Sequence, residues 1–396
     1  MKPISLSRGA KFAIARLESR GFEAYAVGGC VRDSLLGQAP HDWDLTTNAT
    51  PDETAAAFAD CRVVETGKKH GTVTVLYRGE PLEITTYRRD GAYADNRHPT
   101  SVTFSKTLSD DLSRRDFTVN AMAYHPTRGL VDLFGGKDDL QNGVIRCVGN
   151  AETRFHEDGL RILRAIRFAS VLDFSLEPET AHAVHACVSL LCNIARERIR
   201  EEWTKLLLGK ATDRILRDYP DIISEIFPEV VPSPLDIRIC DAPADPVTRL
   251  TLFLYGWTTD VGADAALLRL RYDNATREEV GTLLRLIEIP LDPAEAAVRR
   301  LLTELSPETL DRLLCVKRCL GISAPAEISS IAQTILSRGD CLSLRTLAVN
   351  GKDLMKLGFP AGKPIGEMLG RLLDCVIDGT LPNKKAALLN AVKKWK

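Results

Sequence analysis

The 396-residue sequence contains no apolar run long enough to span a bilayer, and its first twenty residues carry Lys2, Arg8, Lys11, Arg16, Glu18 and Arg20. Those charges exclude a secretory hydrophobic region, so the chain is expected in the cytoplasm and away from membranes. Net charge is nearly absent too: the formal value is −1, which by itself predicts no polyanion partner. The ten cysteines include no C-x-x-C pair. The closest neighbours, Cys187/Cys192 and Cys315/Cys319, sit in apolar helical patterns. They read as reduced, mostly buried thiols rather than a disulfide framework or a metal knuckle. No internal repeat or low-complexity tract stands out.

What is present is the composition of a folded chain, 44% hydrophobic and 27% charged. The length is too great for one ordinary core and implies two to four domains. The charge that cancels overall is unevenly placed. Arg161, Arg164 and Arg167 recur in one short segment and Arg196, Arg198 and Arg200 in another, while Lys384, Lys385, Lys393, Lys394 and Lys396 crowd an acid-free end. Such clusters in a neutral protein leave room for a local nucleic-acid track.

The first 150 residues differ from the rest. The runs "EAYAVGG", "CRVVET", "GTVTVLYRG", "PLEITTYR" and "VTFSKT" bunch β-branched and aromatic residues between turn formers, as strands of a mixed sheet do. Between them, "TPDETAAAFAD" predicts a helix with Thr50 as N-cap, Pro51 at its first position and Glu53 closing a capping box. From about 150 onward the apolar spacing is helical almost throughout, as in "DGLRILRAIRFASVL", "ERIREEWTKLLLG" and "GEMLGRLLDCVIDG". Prolines near 228–246 and 289–293 mark joints. The expected class is α+β: a mixed-sheet head followed by an all-α remainder.

The densest chemistry lies in "AVGGCVRDSLLGQAPHDWDLTT" (26–47). Gly28 and Gly29 end an apolar strand where a helix begins, a junction at which backbone approaches a phosphate and helix N–H groups point at it. Arg32 adds a charge-assisted bond to the same anion. If "HDWDLTT" is a strand, Asp42 and Asp44 share one face, roughly 6–7 Å apart, with Trp43 on the packed side. Two such carboxylates repel unless water screens them or a hard divalent cation, Mg²⁺ above all, sits between them. A D-x-D pair alone is common in solvated turns; the glycine pair and Arg32-Asp33 beside it make the combination specific. Glu83, in "PLEITTYR", supplies a third carboxylate if its strand lies beside the aspartate strand. Three carboxylates can hold two metal ions.

"GGCVRDSLLG…HDWDLTT" resembles motif A of the polymerase-β-like nucleotidyltransferases. In order, "RRDFTVNAM" (114–122), "DLFGGKDDLQNGVIRCVG" (132–149), "EDGLRILRAIRFAS" (157–170) and "ARERIREEW" (195–203) resemble motifs B to E of the bacterial (class II) tRNA nucleotidyltransferases, the CCA-adding enzymes, and their poly(A) polymerase relatives. The resemblance is specific over roughly the first 210 residues and loose beyond them. It implies a head (1–150), a helical neck that selects the nucleotide (151–215), a helical body (216–315) and a helical tail that binds tRNA (316–396).

The resemblance also assigns roles. Asp42, Asp44 and Glu83 are expected to be catalytic, with Asp42 and Asp44 holding two Mg²⁺ ions. Gly28, Gly29 and Arg32 bind the triphosphate, Arg115 contacts the nucleotide, and Asp116 contacts the ribose, favouring NTP over dNTP. Asp132, Gly135 and Gly136 form a strand-to-turn hinge joining head to neck. Asp158, Arg161, Arg164 and Arg167 are spaced by three, so on a helix they drift slowly round one side. Asp158 then accepts from an exocyclic amine and Arg161 donates to the ring. Cytosine and adenine carry that amine where uracil and guanine carry a carbonyl, so a side-chain pair selects C and A without a template. Arg164 and Arg167 contact phosphate or hold the pair.

The implied reaction adds CCA to the tRNA 3′ end from CTP and ATP, with no DNA partner. The segment 87–104 resembles the loop used to switch from C to A addition. The alternatives are an A-adding enzyme, a poly(A) polymerase, whose basic-aromatic segment after motif A is missing, and a non-enzymatic RNA-binding module on a decayed head. The lone His-Asp dipeptide, His41-Asp42, lies inside motif A, so no extra phosphohydrolase domain is expected.

Overall fold

A computed structural model describes residues 4–91, 102–229, 237–257 and 260–395. Its strands are β1 (Ala24–Val27), β2 (Trp43–Thr47), β3 (Arg62–Val64), β4 (Thr72–Tyr77), β5 (Glu80–Thr86), β6 (Arg88–Asp90), β7 (Val102–Phe104), β8 (Met122–His125), β9 (Gly129–Asp132), β10 (Val144–Ile145) and β11 (Ser175–Leu176). Seven of them form one sheet in the order β3-β4-β5-β2-β1-β8-β9. All neighbours in it run antiparallel except β2 and β5, which are parallel. β1 is buried along its whole length, as a central strand covered on both faces must be.

The first helices are α1 (Arg8–Ser19), α2 (Gly29–Leu35) and α3 (Pro51–Ala57). Ser7 caps α1 through the Ala10 N–H at 2.9 Å, and the helix buries Ala10, Ala13, Ile14 and Leu17. The capping box of α3 forms: the Glu53 N–H donates to Thr50 Oγ1, and the Thr50 N–H donates to the Glu53 carboxylate. These short connections place the ends of β1 and β2 next to each other.

β6 and β7 make a separate antiparallel ribbon, Arg88 opposite Phe104. The remainder of the 87–104 segment, residues 92–101, lies outside the described residues. The chain continues through α4 (Leu108–Ser113), α5 (Gly136–Asn142), α6 (Ala151–Glu157), α7 (Leu160–Leu172), α8 (Pro178–Ala186) and α9 (Arg196–Leu207). Among the described residues from Thr212 to Trp395 the regular structure is α-helical apart from a short 3₁₀ turn at Ile239–Asp241. The fold is therefore α+β.

The chain divides into two compact units, Met1–Pro232 with Ala266–Tyr272, and Ser233–Ala265 with Asp273–Lys396. Two apolar clusters lie in the second unit, one from Leu283 to Ile335 and one from Cys341 to Val392. Buried Lys317 donates to the carbonyls of Ile287 and Ile289, satisfying a helix end from within. All ten cysteines are free thiols, but only Cys30, Cys147, Cys187 and Cys341 are buried, fewer than expected. Cys315, Cys319 and Cys375 lie half-buried on helices, Cys61 just before β3, and Cys192 and Cys240 in 3₁₀ turns, Cys192 being exposed. Among the described residues no helix is long and apolar enough to cross a membrane.

Candidate active site

The parallel pairing of β2 and β5 sets Asp44 opposite Glu83. Trp43 packs inward with 7% exposure, while Asp44 is half-buried and Glu83 faces solvent. Asp42 differs from the expectation of a strand position: it sits in the bend just before β2 and is exposed. Asp44 still feels all of its neighbours. Burial, then the charges of Asp42 and Glu83, push its carboxyl up to about 6, against the opposing pull of Arg115. A carboxylate set that repels itself is the donor set of a hard cation. Among the described residues no three His, Cys, Asp or Glu side chains close into a metal cage.

Gly28 opens the opposite wall. Its backbone adopts φ 80°, ψ −131°, a conformation that side chains resist, and α2 starts at the next residue. A Cβ at Gly28 would lie 3.2 Å from Arg115 Nη1, so the guanidinium rests directly on the turn. Arg115 is aimed by Asp111, whose fully buried carboxylate accepts from Arg115 Nη2 at 3.1 Å and Arg114 Nη2 at 2.6 Å. Asp111 also accepts from Thr46 Oγ1 at 3.0 Å, two residues along β2 from Asp44. Burial would raise the Asp111 carboxyl, but Arg115 and Arg114 outweigh it and hold it below the usual range.

Arg32 donates to Asp33 Oδ1 through Nε at 2.8 Å and to Asn120 Oδ1 through Nη1 at 2.6 Å. Asp116 is buried. Its Oδ2 accepts from Arg164 Nε and Nη2 at 2.9 and 2.6 Å, and its Oδ1 accepts from the Phe117 N–H and Asn120 Nδ2. Desolvation alone would raise this carboxyl; Arg164, with help from Arg161 and Asn120, instead holds it at about 2. Arg164 and Arg167 share the buried Glu202 of α9, at 3.6 and 2.8 Å.

The single helix that the spacing predicts from Asp158 through Arg167 is interrupted. α6 ends at Glu157, Asp158 is extended, and α7 begins at Leu160. Only Arg161, Arg164 and Arg167 share α7. Asp158 and Arg161 hold different partners: Asp158 takes Arg198 of α9 at 3.3 and 2.9 Å and the Leu160 N–H at 3.1 Å. Arg161, 9% exposed, donates to Glu157 at 2.6 Å and to the carbonyls of Arg114 and Arg154. The break falls at Asp158 itself, while Gly159 packs so close to the Leu190 carbonyl that a Cβ there would lie 3.1 Å from it. The segment Asp132–Gly136 is a strand-to-helix turn inside the first unit. Asp132 caps α5 by accepting from the N–H groups of Gly136 and Lys137, and a Cβ on Gly136 would collide with the Thr118 carbonyl.

Sequence reasoning gave no role to Asp111, Asn120, Phe168 or Glu202, and counted Arg198 only in a basic cluster. For Asp111 a signal existed, since it lies three and four residues before two arginines in the helix-forming stretch "DDLSRRD".

Three family models tile the chain: a Poly A polymerase head domain over residues 24–146, a polymerase A RNA- and SrmB-binding region over 173–231, and tRNA nucleotidyltransferase domain 2 over 248–392. The chain is 38% identical over 384 residues to the CCA-adding enzyme of Lactobacillus delbrueckii subsp. bulgaricus, spanning 95% of this chain and 94% of that one. The chain belongs to the CCA-adding enzyme family. A second family member, from Levilactobacillus brevis, is 37% identical over 97% of this chain and 96% of its own. The fold is similar to that of the Bacillus stearothermophilus CCA-adding enzyme in complex with CTP, with TM-score 0.83, 30% identity and coverage of 100% and 99%. It is also similar to the Thermotoga maritima CCA-adding enzyme complexed with tRNA, with TM-score 0.68, 25% identity and coverage of 99% and 97%. As a nucleotidyltransferase of this family, the protein works with a divalent metal.

Proposed function

We propose that the protein adds CCA to the 3′ end of tRNA from CTP and ATP, releasing pyrophosphate. The observation that carries the reading is the pairing of Asp44 with Glu83 on parallel strands, beside the Gly28 turn and Arg115. Asp42 and Asp44 would hold Mg²⁺, two ions in this reading, with Glu83 in support. When bound, the metal lowers the pKa of the attacking 3′-hydroxyl and neutralises the departing pyrophosphate. The open backbone at Gly28-Gly29 admits the phosphates, and Arg32 and Arg115 orient them. Asp116 faces the ribose. Asp158 and Arg161 read the base edge, with Arg164 and Arg167 supporting them. Positioning and charge neutralisation supply most of the acceleration.

In the same reading, residues 1–150 form the head, 151–215 the neck, 216–315 the body and 316–396 the tail. The separate apolar cluster from Cys341 to Val392 supports a distinct tail from Cys341 onward, while Ile328, Ala332 and Ile335 pack with the cluster that begins at Leu283. Its helix Lys385–Trp395 carries Lys393 and Lys394, which suit contacts with tRNA phosphates.

The deciding experiment supplies tRNAs ending before the first terminal C, after it, and after the second C, each with single NTPs. Products ending in CCA support the reading. Addition of a lone A only to the CC-ended substrate would replace it with an A-adding enzyme, and a long A-tail with a poly(A) polymerase.

A further inference from the structure

Asn120 lies between Arg32 and Asp116 and touches both. Its Oδ1 accepts from Arg32 Nη1 at 2.6 Å, and its Nδ2 donates to Asp116 Oδ1 at 3.2 Å. The residue is 6% exposed, at the end of a one-turn 3₁₀ segment, Thr118–Asn120. A second path joins the same two groups. Asp116 Oδ2 is gripped by Arg164, and the guanidinium groups of Arg164 and Arg32 both lie over the Phe168 ring, 5.4 and 5.1 Å from its centroid. The ring itself is 5% exposed and packs edge-on against Phe117.

The chemistry at position 120 is restrictive. A guanidinium only donates and a carboxylate only accepts, so their bridge must accept on one side and donate on the other. A carboxamide does both. A carboxylate there would repel Asp116, an ammonium would repel Arg32, and an apolar side chain would leave buried Asp116 and half-buried Arg32 each short of a hydrogen bond.

We infer that Asn120 is a positioning residue for sugar selection, fixing the spacing between the arginine assigned to the triphosphate and the aspartate assigned to the ribose. The inference rests on the roles given above to Arg32 and Asp116. A ribonucleoside triphosphate has a limited span between its phosphates and its 2′-hydroxyl. Two groups held in register across that span convert phosphate binding into discrimination against a deoxy sugar, and two groups left independent do not. Base choice is served by other contacts, those of Asp158 with Arg198 and of Arg161 with Glu157.

The test compares kcat/KM for ATP against dATP and for CTP against dCTP on CC-ended and unextended tRNA. It uses the full-length wild type, Asn120→Asp, Asn120→Ala and Asp116→Asn, with UTP and GTP as base controls. Both Asn120 variants should lose about tenfold or more of the ribo-over-deoxy preference, the charge of a hydrogen bond to an ionised group being at stake. Preference for C and A over U and G should be retained. Asn120→Asp should fall furthest because it adds repulsion to the lost bond. An unchanged sugar preference in Asn120→Ala overturns the inference. So does an equal loss toward every nucleotide, or failure of both variants to fold, since either marks a plain structural role. If the wild type or Asp116→Asn shows that Asp116 takes no part in sugar choice, the assignment of Asp116 fails first, and the two failures are told apart.

Discussion

Asp44 and Glu83 occupy partner positions on β2 and β5, the only parallel pair in the seven-stranded sheet. That pairing brings two carboxylates from chain segments about forty residues apart to one strand end, and the exposed Asp42 adds a third charge nearby.

The cluster sets function against stability at Asp44. Its carboxyl is raised to about 6 by burial and by Asp42 and Glu83, so ionisation costs the folded state more than the unfolded one. The sign follows: the penalty is absent well below the ordinary carboxylate range, grows as pH rises from about 4 to about 6, and stays constant above. Asp44→Asn should therefore raise the Tm at neutral pH in the presence of a chelator, by a stabilisation on the order of 2 kcal/mol. The same variant should lose incorporation on the order of a thousandfold while still binding tRNA. Near-normal turnover would sink the metal assignment, and a lowered Tm would sink the account of its pKa.

Asp116 gives the opposite pH dependence. Arg164 holds its carboxyl at about 2 against the effect of burial. Its contribution to stability is present above the ordinary carboxylate range and is lost as pH falls through about 4 toward 2. Arg164→Met should destabilise the protein by about 3–5 kcal/mol at neutral pH, because it strands a buried charge. The loss should shrink in acid. Equilibrium denaturation of both proteins between pH 3 and pH 7, taken as approximate limits around that range, measures it, and a loss independent of pH would contradict the pairing.

Base choice should respond to Arg198 as well as to Arg161. Arg161→Ala removes the donor and should relax selection of C and A over U. Arg198→Met frees the Asp158 carboxylate, which Arg198 now holds through two bonds, and should blur the same choice. Each step is expected to cost about tenfold in discrimination. Misincorporation of UTP on a tRNA lacking CCA is the readout. Unchanged selectivity in both variants would make this a purely structural network.

Gly28→Ala should raise the KM for CTP and ATP together. The backbone conformation at φ 80° costs an alanine about 1–3 kcal/mol, and the added Cβ presses on Arg115 Nη1 at 3.2 Å. Steady-state kinetics with each nucleotide tests this, and a KM equal to that of the wild type would remove the turn from the triphosphate site.

Much of the head was legible because its signals are local. The capping box of α3, the glycine pair at the start of α2 and the buried Trp43 between two aspartates each depend on residues within a few positions of one another. Asp42 shows the limit of such reasoning, since alternation assigns a face only where the strand actually begins. Asp158 shows it more sharply. Spacing by three fits an unbroken helix, yet the chain breaks at Asp158-Gly159, where the backbone packs close to the Leu190 carbonyl. Asp158 instead turns its carboxylate to the Leu160 N–H and to Arg198, a partner forty residues away that spacing by three does not reveal.

The sequence alone determined the family motifs, their order, the α+β division and the identity of the charged groups, because these rest on residue chemistry and short-range periodicity. Tertiary structure decided which charge meets which. Glu83 reaches Asp44 only through strand pairing, Arg115 rests on Gly28 only because Asp111 is buried beneath it, and Asp158 belongs to Arg198 rather than to Arg161. Ion pairs of this kind join groups far apart in the chain, and their geometry is set by the packing of whole elements, which no local spacing encodes.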